Sequence, residues 1–152
     1  MKTRLFIDAT NEGIKRLAPR VKRHQRNSAE RGPLSRHWMT VARKELRAYF
    51  EGRLTSFSPP CDLRDLSQFT LAVLRMTARI PYGEVRSYRW LAESLGKPKA
   101  VRAVGNALAR NPVPIIIPCH RVVRSDGTTG GFALGRKWKQ KLLRLEKSFR
   151  PS

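Results

Sequence analysis

The chain has 152 residues, which suits one ordinary domain or two small ones. Its 40% hydrophobic content supplies a modest core and excludes a wholly disordered chain, yet 32 Lys and Arg against 11 Asp and Glu leave a formal net charge of +21. A charge that large on so short a chain points to a polyanionic partner, nucleic acid first. The longest apolar run, residues 113–117, contains Pro114 and is far too short to span a bilayer, so no membrane partner is expected.

Residues 1–37 carry ten Lys/Arg and three acids. Residues 4–7 read as a short strand. Residues 13–26, with Lys15, Arg16, Arg20, Lys22, Arg23 and Arg26, read as a basic helix face or a flexible arm, and a solvated, partly disordered segment fits equally. Arg31-Gly32-Pro33 reads as a turn. In residues 36–51, Trp38, Val41, Ala42, Leu46, Tyr49 and Phe50 recur at helical spacing, and Gly52 follows as a C-terminal cap. Residues 54–57 read as a short strand, broken by Ser58-Pro59-Pro60. The domain boundaries expected are an N-terminal piece over 1–58, a linker over 59–66 and a second domain over 67–152.

From residue 67 the pattern is mostly helical. Ser67 caps a helix containing Phe69, Val73, Leu74 and Met76. Pro81-Tyr82-Gly83 is a turn, and Ser87 caps a second helix over 88–95 that ends at Gly96. Pro98 suits the first turn of a third helix over 98–110. Helix, glycine turn, helix is the spacing of a helix-turn-helix. In the third helix Val101, Val104 and Leu108 form a stripe for burial, and Ala100, Ala103 and Ala107 a second line of small side chains. Lys99, Arg102 and Arg110 can reach phosphates or bases. Gly105 costs roughly 1 kcal/mol in a helix interior, which close packing or close approach must offset. A tightly packed core helix with incidental arginines fits the same pattern equally well.

Two cysteines, Cys61 and Cys119, are too few for a disulfide framework or a four-cysteine zinc site. The N-terminus has only Leu5-Phe6-Ile7 as an apolar run, so no signal peptide is read and an intracellular, reduced protein of the cytoplasm or nucleoid (the nucleus in a eukaryote) is expected. Asn111-Pro112 ends the third helix, and residues 113–117 read as a buried extended segment leading to Pro118-Cys119-His120-Arg121-Val122. A thiol is a nucleophile only as thiolate, which needs a base or nearby positive charge. His120 is the first candidate base, although neighbouring side chains usually diverge and a buried structural cysteine is the commoner case.

The stretch from Asn111 through Pro118-Cys119-His120-Arg121-Val122 resembles the active-site motif of the O6-alkylguanine-DNA alkyltransferases. The likeness extends upstream through Ile80-Pro81-Tyr82-Gly83-Glu84-Val85, Ser87-Tyr88, Pro98-Lys99-Ala100 and Arg102-Ala103-Val104-Gly105. Downstream it reaches Gly130-Gly131-Phe132 and Leu142-Leu143-Arg144-Leu145-Glu146, so residues 67–147 are covered in family order. The resemblance implies an α+β fold: a short N-terminal sheet-and-helix domain, then a mainly helical domain with a helix-turn-helix and the active-site loop.

It also implies roles. Cys119 would accept the alkyl group, His120 would draw its proton through a water, and Glu146 would orient the histidine. Asn111 would tie the helix-turn-helix to the active-site loop, and Tyr88 would donate to the leaving guanine. Arg102 would hold the gap left by a flipped nucleotide, with Lys99, Ala100, Ala103, Arg110 and Arg121 also facing DNA in the minor groove. Leu108, Pro114, Val122, Phe132, Ala133 and Lys139 would form the substrate pocket. The implied protein acts once, on O6-alkylguanine in double-stranded DNA with O4-alkylthymine a second candidate, as a monomer, with no metal or organic cofactor. Phe132 stands where many members have tyrosine, Ala133 where serine is common, and Leu134 and Arg136 where smaller residues are usual, which predicts a narrower pocket. Two other functions compete: a non-catalytic sensor of alkylated DNA, whose known representatives lack the cysteine of this motif, and a cysteine hydrolase using Cys119, His120 and Glu146.

Overall fold

A computed structural model describes residues 4–19 and 32–151. The chain forms two compact units, Met1–Arg64 and Asp65–Ser152. The architecture is mixed α+β, as the sequence predicts.

In the first unit, β1 (Leu5–Thr10) and β2 (Gly13–Pro19) pair antiparallel around the two-residue turn Asn11-Glu12. This corrects the helix or arm expected from residue 13; residues 20–31, with the rest of that basic stretch and Arg31 of the expected turn, lie outside the described residues. The misreading has a physical source. Asp8 pairs with Arg16 and the next residue, Ala9, with Ile14, so Lys15 is an extra residue bulged out of β2. The bulge puts Ile14 and Leu17, three apart, into the core together and imitates helical spacing.

Pro33 opens α1 (Pro33–Phe50) with Gly32 as its N-cap, so it belongs to the helix and not to a turn. The helix packs on both strands and buries Ala42, Leu46 and Tyr49. Residues 54–57 form no strand. The Phe57 ring packs 5.4 Å from that of Tyr49, and Ser58 N–H donates to Glu45 Oε2 at 2.9 Å, which turns the chain back along α1. Beyond it Ile14 N–H donates to Pro60 O and Asp62 N–H to Ile14 O, both at 2.8 Å. Asp62 also accepts from Thr10 Oγ1 at 2.6 Å and from Arg64.

The second unit is built on α2 (Gln68–Thr77), α3 (Tyr88–Ser94), α4 (Val101–Ala109) and α5 (Arg136–Ser148), with a two-residue parallel pair of β3 (Arg86–Ser87) and β4 (Val122–Val123). Ser67 and Ser87 each accept from the backbone N–H three residues on, capping α2 and α3. Helices α2, α3 and α4 pack on one another and bury Val73, Leu74, Leu91, Val104 and Leu108. Each such leucine stabilises the unit by roughly 2 kcal/mol relative to exposure.

Gly96 ends α3 at φ 70, a conformation glycine adopts without penalty. Pro98 and Lys99 lie in a turn, so α4 starts at Val101, three residues after the expected start at 98. Val101 is only half-buried, unlike Val104 and Leu108. No helix among the described residues is long and apolar enough to cross a membrane.

Candidate active site

The site is assembled behind α4. Residues 113–117, expected to be extended, instead fold into a tight turn closed by Ile117 N–H donating to Val113 O at 3.0 Å. Ile115 sits at φ 76, which costs a β-branched residue on the order of 1–3 kcal/mol, and its burial holds it there. Asn111 fastens the turn from inside: its Nδ2 donates to Ile117 O at 3.1 Å and its Oδ1 accepts from Val113 N–H at 3.0 Å. Cys119 N–H donates to Ile117 O at 2.8 Å, and the chain enters a single 3-10 turn, Cys119–Arg121, packed against α5.

That turn separates neighbouring side chains. Cys119, 5% exposed, lines a cavity of about 710 Å³. His120 points into the protein, where Nε2 meets Glu146 Oε1 at 2.7 Å. Glu146, on α5 and 1% exposed, also accepts from Arg121 Nε at 2.9 Å, Arg121 Nη2 at 2.9 Å and Gly83 N–H at 3.1 Å. Arg121 donates its Nη1 to Ile80 O at 2.7 Å. Burial alone would raise the Glu146 pKa, but hydrogen bonds from His120 and Arg121 outweigh it and hold the carboxyl at about 2. An ionised carboxylate accepts only, so the hydrogen between it and His120 sits on Nε2. Burial lowers the His120 pKa against the opposing pull of Glu146, so the imidazole rests neutral with Nδ1 as its basic atom.

Burial pushes the Cys119 thiol up to about 11, opposed by a hydrogen bond with Asn111 and by the charge of Lys139. At neutral pH the resting group is the thiol. Lys139, on α5, is fully buried; Nζ donates to Val122 O at 2.5 Å, Gly131 O at 3.1 Å and Tyr88 Oη at 3.5 Å. Burial lowers its pKa to about 8, with Cys119 opposing, so the ammonium stays largely charged at pH 7.

The cavity walls are Tyr88 from α3, Arg102, Gly105 and Leu108 from α4, and the loop Gly130 to Ala133. Gly130 sits at φ 70 against Tyr88, where an added Cβ would come 2.8 Å from Oη. The Phe132 ring lies edge-on to His120 at 6.2 Å. Leu134 and Arg136 are outside the lining, so neither narrows the cavity as expected.

Of the residues singled out in the sequence, the fold pairs His120 with Glu146 and Cys119 with Asn111 on the same turn, and places Tyr88, Arg102, Leu108, Phe132 and Ala133 around the cavity. Pro114 and Val122 are buried and do not line it; Lys139 acts from behind the wall. Arg121, expected to face DNA, is 6% exposed with its guanidinium bound to Glu146 and Ile80, a correction. Lys99, Ala103 and Arg110 are exposed and Ala100 half-buried, along α4 and its ends. The sequence reading missed Val101, Asn106 and Arg124 as cavity residues. Gly105 is not pressed by the protein, since an added Cβ would stay 4.0 Å from Tyr88; it opens onto the cavity.

A buried thiol facing a cavity, followed in the chain by a neutral histidine whose Nε2 is bound to an ionised glutamate, is the residue set that a cysteine nucleophile of the Cys-His-acid class would need. The family model for the 6-O-methylguanine DNA methyltransferase DNA-binding domain matches residues 68–148. The chain is 48% identical over 110 residues to a methylated-DNA–protein-cysteine methyltransferase of Methanosarcina barkeri, across 70% of this chain and 67% of the relative. It is 43% identical over 126 residues to the enzyme of that name from Mycobacterium bovis, across 79% and 76%. The crystal structure of Mycobacterium tuberculosis OGT in complex with DNA superposes with a TM-score of 0.83 at 37% identity, covering 97% of this chain and 89% of that one. The chain belongs to the 6-O-methylguanine DNA methyltransferase family.

Proposed function

We propose that this chain repairs DNA by moving an alkyl group from guanine O6 to Cys119, once per molecule. The observation that carries the reading is the placement of the Cys119 thiol on the cavity, with the next residue, His120, kept neutral by burial and oriented by its hydrogen bond to Glu146. In the reaction His120 Nδ1 takes the thiol proton through a water, Glu146 stabilises the imidazolium, and the thiolate displaces guanine from the alkyl carbon in line. The S–C bond forms as the C–O6 bond breaks. The departing guanine takes a proton from Tyr88 on the cavity wall, and the thiol proton held by the imidazolium returns through solvent to the phenolate, so no net charge is left. The thioether has no route to hydrolysis, so turnover stops.

The base reaches Cys119 only when flipped from the duplex. Helices α3 and α4 act as a helix-turn-helix; α4 presents Arg102 and Ala103, and the residue at its end Arg110, to the minor groove, and Arg102 fills the vacated stack. The +21 charge supports this partner and a place of action beside the genome, in cytoplasm or nucleoid. The related OGT crystallised with DNA supports it too. The chain acts as a monomer, and the chemistry calls for no metal.

Incubation with duplex O6-methylguanine DNA should add one methyl mass, localised to Cys119 and lost in Cys119→Ala. Selective lesion binding without an adduct would refute transfer in favour of a sensor. Sustained turnover of an amide or ester would refute it in favour of a hydrolase.

A further inference from the structure

We propose that Arg124 is a DNA-backbone contact, a cation at the cavity mouth that holds a phosphate of the nucleotide whose base enters. The proposal rests on the alkyl-transfer reading for the occupant. The position of the residue comes from the fold. The parallel pairing sets Arg86 beside Val122 and Ser87 beside Val123, and the next residues along the two strands are Tyr88 and Arg124. Both line the cavity. The root of Arg124 is fixed, because its N–H donates to Thr128 O and its carbonyl accepts from Gly127 N–H, both at 2.9 Å. Its side chain is exposed.

Charge completes the case. Among the described residues the charged side chains lining the cavity are Arg102 on the α4 wall and Arg124 on the other, and no acid lines it. Asp126, on the same turn as Arg124, accepts at Oδ1 from Thr128 N–H and Oγ1 at 2.9 and 2.7 Å. The charge of Arg124 also reaches inward: burial and Cys119 raise the Tyr88 pKa and Arg124 opposes them. A base and its phosphates share one sugar, so a base seated against Cys119 brings its own phosphates to the mouth. Arg102, if it fills the gap in the stack, cannot also hold that phosphate. Arg124 can, with the paired N–H donors a guanidinium offers a phosphate.

The test compares Arg124→Ala and Arg124→Lys with the wild-type chain on duplex O6-methylguanine DNA and on the free O6-methylguanine base. Arg124→Ala should slow transfer from duplex by about tenfold, the effect of one charged hydrogen bond, and at least five times more than transfer from free base. The plot of log binding constant against log salt should flatten by about 0.9, with Arg124→Lys restoring the slope. A neutral methylphosphonate at the phosphate beside the lesion should slow the wild type to the variant's rate and leave Arg124→Ala unchanged. Equal fractional losses on duplex and free base, or an unaltered salt slope, would overturn the proposal. A wild-type chain that methylates itself from neither substrate would refute the alkyl-transfer reading instead, and the salt slope on lesion duplex would still decide for or against Arg124.

Discussion

Replacing Glu146 with glutamine keeps the shape of the side chain and removes its charge. In the fold His120 and Arg121 hold the carboxyl at about 2 in place of the ordinary 4.5, so folding adds about 3 kcal/mol of preference for the ionised form over that in the unfolded chain. Glutamine mimics the neutral form, and the same loss is felt at Arg121, whose buried guanidinium is left without its counter-charge. A loss of about 3 kcal/mol at pH 7 is therefore expected, within the range for breaking a buried ion pair. A depressed folded pKa gives stability that is complete above pH 4.5 and lost as pH falls towards 2. At pH 3 the wild-type advantage should shrink to about 1 kcal/mol. Urea unfolding of both proteins at the two pH values measures this directly. A gap of the same size at pH 3 and pH 7, or one under about 1 kcal/mol at pH 7, would refute the idea that an ionised carboxylate anchors His120 and Arg121.

Asn111→Ala removes two buried hydrogen bonds across the 113–117 turn and should cost about 2 kcal/mol, read as a lowered unfolding midpoint together with slower thiol alkylation; unchanged alkylation would disconnect Asn111 from Cys119. Iodoacetamide should modify Cys119 faster as pH rises towards about 11, since burial holds the thiol protonated, and a flat rate from pH 6 upward would mean a preformed thiolate. Gly130→Ala should displace Tyr88 and slow alkyl transfer well beyond Gly96→Ala, which bears a similar φ penalty in open space; equal rates for the two would remove Tyr88 from the reaction. Lys139→Met should leave Val122 O and Gly131 O without their donor and raise the thiol pKa further, so the pH profile of alkylation should move up; an unmoved profile would confine Lys139 to a structural role.

The sequence alone determined the local and chemical features. Ser67 and Ser87 announce helix starts because a side-chain oxygen next to helical spacing is a nearest-neighbour signal. The ordered motifs around Cys119 carried the family, and +21 carried the partner, since both are properties of composition and order. Where a longer-range contact set the conformation, the reading failed. A bulge at Lys15 made a strand look helical, and residues 113–117 became a turn because Asn111 clamps them. Arg121 looked like one more basic residue for DNA until Glu146, 25 positions away, drew it inside. Arg124 drew no notice because only the pairing of β3 with β4 brings it beside Tyr88. Charge and motif order belong to the chain, but which cations face solvent and which neutralise a buried carboxylate is decided by burial and long-range pairing, which only the folded unit supplies.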